Sequence, residues 1–281
     1  MIASPADLML RHPCFDERAH ERVGRVHLPV ARRCNIQCVY CERRVCASLT
    51  AQHPGWSRQM LSPEEAAARV RQLVQRRSAA EKNLTPSFVV GVAGPAEPLA
   101  NPETLETLRL VHAEFPWLMK CISTNGLLLE EQLPELIEVG VRTLTVTVNA
   151  VDDEVGQHVY AWVRHAGTIY RGREAARILI THQLQGIRAA IEAGIVVKAN
   201  TVLMPGINSG HVDRVARRLG DLGVHLMNIM PLIPAGQLRD HSAPTCEELK
   251  NARADCEEFV PQFRSCQQCR ADIICFPSAV N

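Results

Sequence analysis

The chain has no apolar run approaching the roughly 18 residues that a membrane-spanning helix needs. It also has no secretory signal. The opening residues, MIASPADLMLRHPC, contain no basic start followed by a long apolar stretch, so the protein is expected in the cytoplasm, away from membranes. Charge of one sign is missing too. There are 31 Lys and Arg against 30 Asp and Glu, a formal net charge of +1, which argues against a nucleic-acid footprint or an acidic tail. Basic pairs such as Arg32-Arg33 and Arg43-Arg44 read as solvated faces, and beside cysteines they also favour an anionic group. There is no low-complexity tract and no repeat beyond a strand–helix period. What remains, 281 residues of which 46% are hydrophobic, suffices for one large core or two small domains.

Against these absences stand eleven cysteines. A disulfide framework belongs to small secreted domains, and nothing here indicates secretion. In a reducing compartment, clustered thiols read as metal ligands or catalytic groups, and an odd number fits ligands better than pairs. Cys34, Cys38 and Cys41 form a C-x3-C-x2-C cluster. Cys246, Cys256, Cys266, Cys269 and Cys275 crowd the C-terminal tail.

Residues 1–33 are polar and His-rich and read as an extension outside the core. Residues 25–30 look like a short strand that Pro29 places at an edge or an end, so the cysteine cluster that follows lies on a loop. From residue 62 onward, helix and strand alternate. Ser62-Pro63-Glu64-Glu65 is a helix start, with a capping Ser, Pro at the first position and Glu three after the cap. Helices are expected over 62–77, 102–115, 130–139, 173–193, 212–222 and 246–259. Strands are expected over 87–92, 119–124, 141–149, 195–203 and 226–229. Strands separated by helices of ten to twenty residues make βαβ units and a parallel sheet. About six units are too few for a closed eight-stranded barrel, so the fold class is α/β, an incomplete parallel (β/α) barrel with Cys-bearing extensions at both ends. Ligands in such folds sit at the carboxyl ends of the strands, which draws attention to the polar residues there.

The C-x3-C-x2-C spacing lets three thiolates each bind a separate iron of one cubane. A [4Fe–4S] cluster normally takes four cysteines, so one iron stays open to a chelating ligand. A zinc site is the bland alternative; it favours paired C-x2-C knuckles and a fourth nearby ligand. With Tyr40 before the last Cys and a preceding strand, this segment resembles the radical SAM superfamily. That resemblance implies a cluster at Cys34, Cys38 and Cys41 that binds S-adenosylmethionine (SAM) through the amino and carboxylate groups of its methionine part. It also implies electron transfer that splits SAM into methionine and a 5′-deoxyadenosyl radical. Gly94-Pro95-Ala96-Glu97-Pro98 resembles the motif that meets the methionine amino group, with Glu97 as the matching acid. Ser123, Thr124 and Asn125 match residues that bind the SAM carboxylate and ribose. Asn149 and Asn200, at later strand ends, are further SAM-contact candidates, although an Asn at such a place is often only a turn former.

The segments HPCFDERAH (12–20), VHLPVARRCNIQCVYC (26–41), AGPAEPLANP (93–102), STNG (123–126), TVTVNAVD (145–152), YRGREA (170–175), NIMPLIP (228–234) and CQQCRAD (266–272) together resemble the NifB family, over about residues 12–272. The resemblance implies two further [4Fe–4S] clusters, fused around a carbon from SAM with an added sulfur into the [8Fe–9S–C] precursor of the nitrogenase cofactor. By matching positions, one precursor cluster takes His27, Cys46 and Cys121 and the other Cys14, Cys266 and Cys269. Iron–sulfur cluster donors, a ferredoxin- or flavodoxin-type electron donor and a downstream carrier or scaffold are the implied partners. The segments divide as an N-terminal extension (1–26), a partial barrel (27–235) and a C-terminal extension (236–281), a short form without an appended carrier-like domain. The stretch 46–60 departs from the family pattern, with the gap from Cys41 to Cys46 one residue short. Cys246, Cys256 and Cys275 have no counterpart and read as packing residues, with Cys275 an alternative to Cys269 as a ligand. Two other readings are a radical SAM enzyme with auxiliary clusters acting on an organic or peptide substrate, and a non-catalytic iron–sulfur scaffold. The open-iron argument predicts that Cys38→Ala abolishes SAM cleavage while the other clusters still load. Retained 5′-deoxyadenosine formation in that variant, measured chromatographically, would refute the assignment.

Overall fold

A computed structural model of the chain describes residues 4–80 and 88–277. Near the N-terminus lie two short helices, α1 (Pro5–Leu10) and α2 (Glu17–His20), then strand β1 (Gly24–His27). The cysteine segment carries β2 (Ile36–Cys38), and β3 (Arg44–Val45) and β4 (Trp56–Ser57) pair with each other beyond it. The alternation follows: α3 (Pro63–Ala80), β5 (Phe88–Val92), α4 (Pro102–Glu114), β6 (Met119–Thr124), α5 (Leu129–Glu138) and β7 (Val141–Thr147). Next come α6 (Asp153–Gly156), β8 (Tyr160–His165), β9 (Thr168–Tyr170), α7 (Gly172–Glu192) and β10 (Val196–Leu203). The chain closes with α8 (Val212–Asp221), β11 (Leu226–Pro231), α9 (Cys246–Cys256) and β12 (Ile274–Cys275).

The main sheet runs β11-β10-β7-β6-β5-β1-β12. Six of these strands are parallel and β12 is antiparallel to β1, so the expected incomplete parallel barrel is the observed architecture. Its helices start where the sequence says. At α3 the Ser62 backbone N–H donates to the Glu65 carboxylate at 2.8 Å and the Glu65 N–H donates to the Ser62 hydroxyl at 3.2 Å, the reciprocal pair of a capping box. A second such box, Thr245 with Glu248, opens α9. That helix stops at Cys256, short of the predicted 259. The outer face of the sheet buries Val90, Ile122, Leu144, Val146, Val197 and Ile229 against Val70, Leu108, Leu136, Ile187 and Leu219 of the helices, which forms the main core.

Four expectations are corrected. The described part of the expected extension, residues 4–33, does not stay outside the core. Phe15 packs with Val196, Leu226 and Phe263 in a buried cluster, and β1 is hydrogen-bonded inside the sheet. The cysteine segment is not wholly loop, because β2 ends on Cys38 and pairs antiparallel with β8. Residues 160–170 form a hairpin that the sequence reading passed over. Its turn uses Ala166 (φ 47) and Gly167 (φ 80), and Ala replaces the Asn or Asp that usually advertises such a turn. Finally, Cys246 is exposed and packs against nothing in the core, whereas Cys256 is buried there as expected. Ser87, the first residue of one predicted strand, lies outside the described residues.

Leu144 is fully buried on β7, an interior strand of the sheet, so Leu144→Ala is expected to destabilise the chain by about 2–5 kcal/mol. Chemical denaturation measures this; a loss under about 1 kcal/mol would contradict so tight a core.

Candidate functional site: a polar cavity on the concave face

Side chains of a strand alternate between its two faces, so each parallel strand that buries apolar residues outward presents the intervening residues inward. On β1 these are Arg25 and His27, on β6 Cys121 and Ser123, on β7 Thr145 and Thr147, and on β10 Lys198 and Asn200. All eight line a single cavity of about 290 Å³ on the concave face. Other strand residues, among them Val89, Gly91, Tyr160 and Met230, complete the wall together with loops at the strand ends.

One group of wall residues surrounds Cys34, Cys38 and Cys41, all of which line the cavity. Burial pushes the Cys34 thiol up to about 11, reinforced by the nearby Glu97 carboxylate, and raises Cys38 well above the ordinary thiol range. Cys41 is also raised by burial, opposed by the Arg43 guanidinium, whose Nη1 approaches its sulfur at 3.9 Å. Arg43 is held in turn by Gln37 Oε1 at 2.6 Å. Glu97 is 4% exposed and well supplied with donors. Its Oε1 accepts from the Thr124 hydroxyl at 2.5 Å and the Leu99 N–H at 3.0 Å, and its Oε2 accepts from the Asn125 N–H at 2.7 Å. Burial nonetheless raises its pKa to about 7, because the three hydrogen bonds offset only part of the desolvation. The Asn125 amide donates to Asn35 Oδ1 at 2.7 Å. Asn149 donates to the Tyr40 hydroxyl at 2.9 Å and accepts from the Val202 N–H at 2.8 Å, so it staples the end of β7 to Tyr40 and β10. Asn200 accepts from Asn228 at 3.0 Å across β10 and β11.

The other group comes from both chain ends. Cys14, Cys266 and Cys269 line the cavity together with His27 and Cys121. The His27 Nδ1 lies 3.1 Å from the Arg270 carbonyl, which can only accept, so Nδ1 carries the hydrogen and the Nε2 lone pair is free. Burial lowers the His27 pKa to about 4, which leaves the ring neutral as a metal ligand must be. Gly91 makes room for that ring; a Cβ there would lie 3.1 Å from His27 Cδ2. Burial pushes the Cys121 thiol up to about 12 and raises those of Cys14 and Cys269.

Of the fifteen candidate residues named from sequence, the cavity wall brings together all but Cys46. Cys46 follows β3, away from the wall, with its sulfur 3.1 Å from the Ser48 hydroxyl. Wall residues that the sequence reading did not single out as site residues include Arg25, Lys198 and buried His12, and Arg43 stood only in a basic pair beside the cysteines. A period-two signal was available in the triplets Arg25-Val26-His27 and Lys198-Ala199-Asn200, polar residues flanking an apolar one.

Comparison with known proteins places this geometry. The family model described as the Radical SAM superfamily matches residues 28–219. The FeMo cofactor biosynthesis protein NifB of Methanocaldococcus infernus is 45% identical over 267 residues, 95% of this chain and 86% of that protein. The chain belongs to the NifB family of radical SAM proteins. The Klebsiella pneumoniae protein of the same name is 42% identical over 276 residues, covering 96% of this chain and 57% of its relative. At the level of fold, this NifB-family chain resembles the crystal structure of Streptococcus suis SuiB, with a TM-score of 0.58 at 11% identity over 88% of this chain and 51% of that one. The structure of anSMEcpe with bound AdoMet aligns with a TM-score of 0.52 at 14% identity, over 75% of this chain and 52% of that one.

Family membership makes the chain a radical SAM enzyme and implies a [4Fe–4S] cluster and SAM. The residues present fit such a cluster. Three thiols face one cavity, each held protonated by burial, and positively charged iron reverses that penalty by stabilising the thiolates. Among the described residues no three His, Cys, Asp or Glu groups converge on a single-ion site; a cubane differs, because each thiolate binds its own iron. No helix among the described residues is long and apolar enough to cross a membrane.

The raised Glu97 pKa predicts a pH signature in the metal-free chain. The folded state takes up a proton at higher pH than the unfolded one. Its contribution to stability is therefore complete below the ordinary glutamate range and is lost as pH rises through about 7. Between pH ~4.5 and ~7 the wild type is expected to lose up to about 3 kcal/mol relative to Glu97→Gln. Parallel denaturation curves for the two proteins across that window check this; identical slopes would contradict it.

Proposed function

We propose that this chain builds the carbide-bearing precursor of the nitrogenase cofactor. In this reading two [4Fe–4S] clusters are the substrates, one held by Cys14, Cys266 and Cys269 and the other by His27, Cys46 and Cys121. They are joined around a carbon from SAM, with an added sulfur, into the [8Fe–9S–C] product. The name of the relatives and the radical SAM family support the broader role in nitrogenase cofactor biosynthesis. The observation that carries the finer reading is the shared wall: five of the six proposed substrate-cluster ligands face the same cavity as Cys34, Cys38 and Cys41. Iron–sulfur donors, a ferredoxin- or flavodoxin-type reductant and a downstream carrier are the partners it requires.

When bound at Cys34, Cys38 and Cys41, the resident cluster supplies the electron that cleaves SAM reductively. The chain's own residues do the rest. Glu97, with three hydrogen bonds fixing both oxygens, is a rigid acceptor for the methionine ammonium, and that cation lowers its pKa again. Ser123, Thr124 and Asn125 present polar groups at the end of β6 toward the carboxylate and ribose. Tyr40, pinned by Asn149, closes the wall beside the three thiols. His27 offers Nε2 to a substrate iron, its orientation set by the Arg270 carbonyl. With three protein ligands each, the substrate clusters keep an open iron, which leaves fewer bonds to break on fusion and release. The Cys46 loop must turn inward to complete its set.

The test uses anaerobically reconstituted protein and SAM carrying a labelled methyl carbon. Label recovered inside an extractable cluster is the expected result. 5′-Deoxyadenosine formation with all label left in methionine or other small molecules would reject cluster assembly while leaving SAM cleavage intact.

A further inference from the structure

Two buried N–H groups in the cavity wall have no hydrogen-bond partner: Nε2 of His12 and Nε of Arg25. The residues are 2% and 3% exposed, so water from outside does not serve them. The Cys14 backbone N–H donates to His12 Nδ1 at 3.0 Å, which makes Nδ1 the acceptor and puts the ring hydrogen on Nε2. Arg25 donates through Nη2 to Gln267 Oε1 at 2.7 Å and lies within hydrogen-bonding reach of the Cys269 thiol. A third donor, Lys198, is 3% exposed. Its ammonium gives one hydrogen to the Cys14 carbonyl at 2.8 Å and stands over the rings of Phe15 and Phe263, 5.1 and 5.2 Å from their centroids.

All three donors therefore gather around Cys14 and Cys269. Among the described residues the single carboxylate in the cavity wall, Glu97, is committed to Thr124, Asn125 and Leu99. Two buried cations and an unpaired ring N–H cost free energy unless an anion meets them. The thiolates of a bound cluster, and its bridging sulfides, are anionic acceptors at that place. We propose that His12, Arg25 and Lys198 form a donor wall for the substrate cluster held by Cys14, Cys266 and Cys269, retaining it and favouring its more reduced, more negatively charged state. The inference rests on the cluster-assembly reading above. Hydrogen bonds to sulfur and nearby positive charge raise the reduction potential of an iron–sulfur cluster. Arg25 and Lys198 supply charge and donors; neutral His12 supplies a donor alone.

The test compares reconstituted Lys198→Met and Arg25→Met with the cation-preserving Lys198→Arg and Arg25→Lys, and with Cys266→Ala. Iron content and an EPR-monitored redox titration are the readouts. In the wild type one cluster signal should disappear with Cys266→Ala. In the Met variants that same signal should titrate at a more negative potential or be lost, and the cation-preserving variants should restore it. An unchanged potential in both Met variants overturns the donor wall and leaves cluster binding standing. So does loss of the cluster in the cation-preserving variants as well, which marks a purely structural role. Unchanged iron and spectra in Cys266→Ala overturn the binding reading and the donor wall together.

Discussion

Burying polar and thiol side chains along one face of a sheet costs free energy, and the molecule is organised around that cost. Every parallel strand spends its outward residues on the helical layer and turns the alternate residues into the cavity. Such a face is tolerable only where its groups satisfy one another or meet a ligand of complementary charge. The Glu97–Thr124–Asn125 and Tyr40–Asn149–Val202 networks do the former. The thiols, His27, His12, Arg25 and Lys198 await the latter.

This constraint links the fold to its chemistry. Burial holds the thiols protonated, so the metal-free cavity does not accumulate like charges. A bound iron–sulfur cluster would invert the preference by stabilising the thiolates. The same burial keeps His27 neutral and ready to ligate. Cys14 comes from the N-terminal segment and Cys266 and Cys269 from the C-terminal one. They meet because Phe15 and Phe263 pack with Val196 and Leu226 and because Lys198 lies against both rings. The joining of the two chain ends is thus part of the site.

Local signals were legible where a short stretch of sequence contains its own cause. Ser62 through Glu65 opens a helix by side-chain capping, and the β-branched run from Val141 to Thr147 makes a strand. The C-x3-C-x2-C spacing needs no tertiary information to suggest a cubane. The hairpin at Tyr160–Tyr170 was not legible, because Ala166 occupies a left-handed turn position that the sequence does not announce. The first thirty-three residues misled for a related reason. Their helices are too short to show a periodic apolar stripe, yet Phe15 and Ala19 are buried by partners far along the chain.

The sequence by itself determined the fold class and the three-thiol motif, because these rest on patterns local in the chain, and its resemblance to a family implied the other candidate residues that the cavity wall contains. Tertiary structure alone decided which of those side chains share one space and which do not. Cys46, close to the cluster in sequence, stays outside it, whereas Cys14 and Cys269 are brought to one wall from opposite ends of the chain. The physical reason is that spacing governs only neighbours along the backbone. The convergence of buried thiols, cations and unpaired donors depends on how an entire sheet curls and what covers its open side.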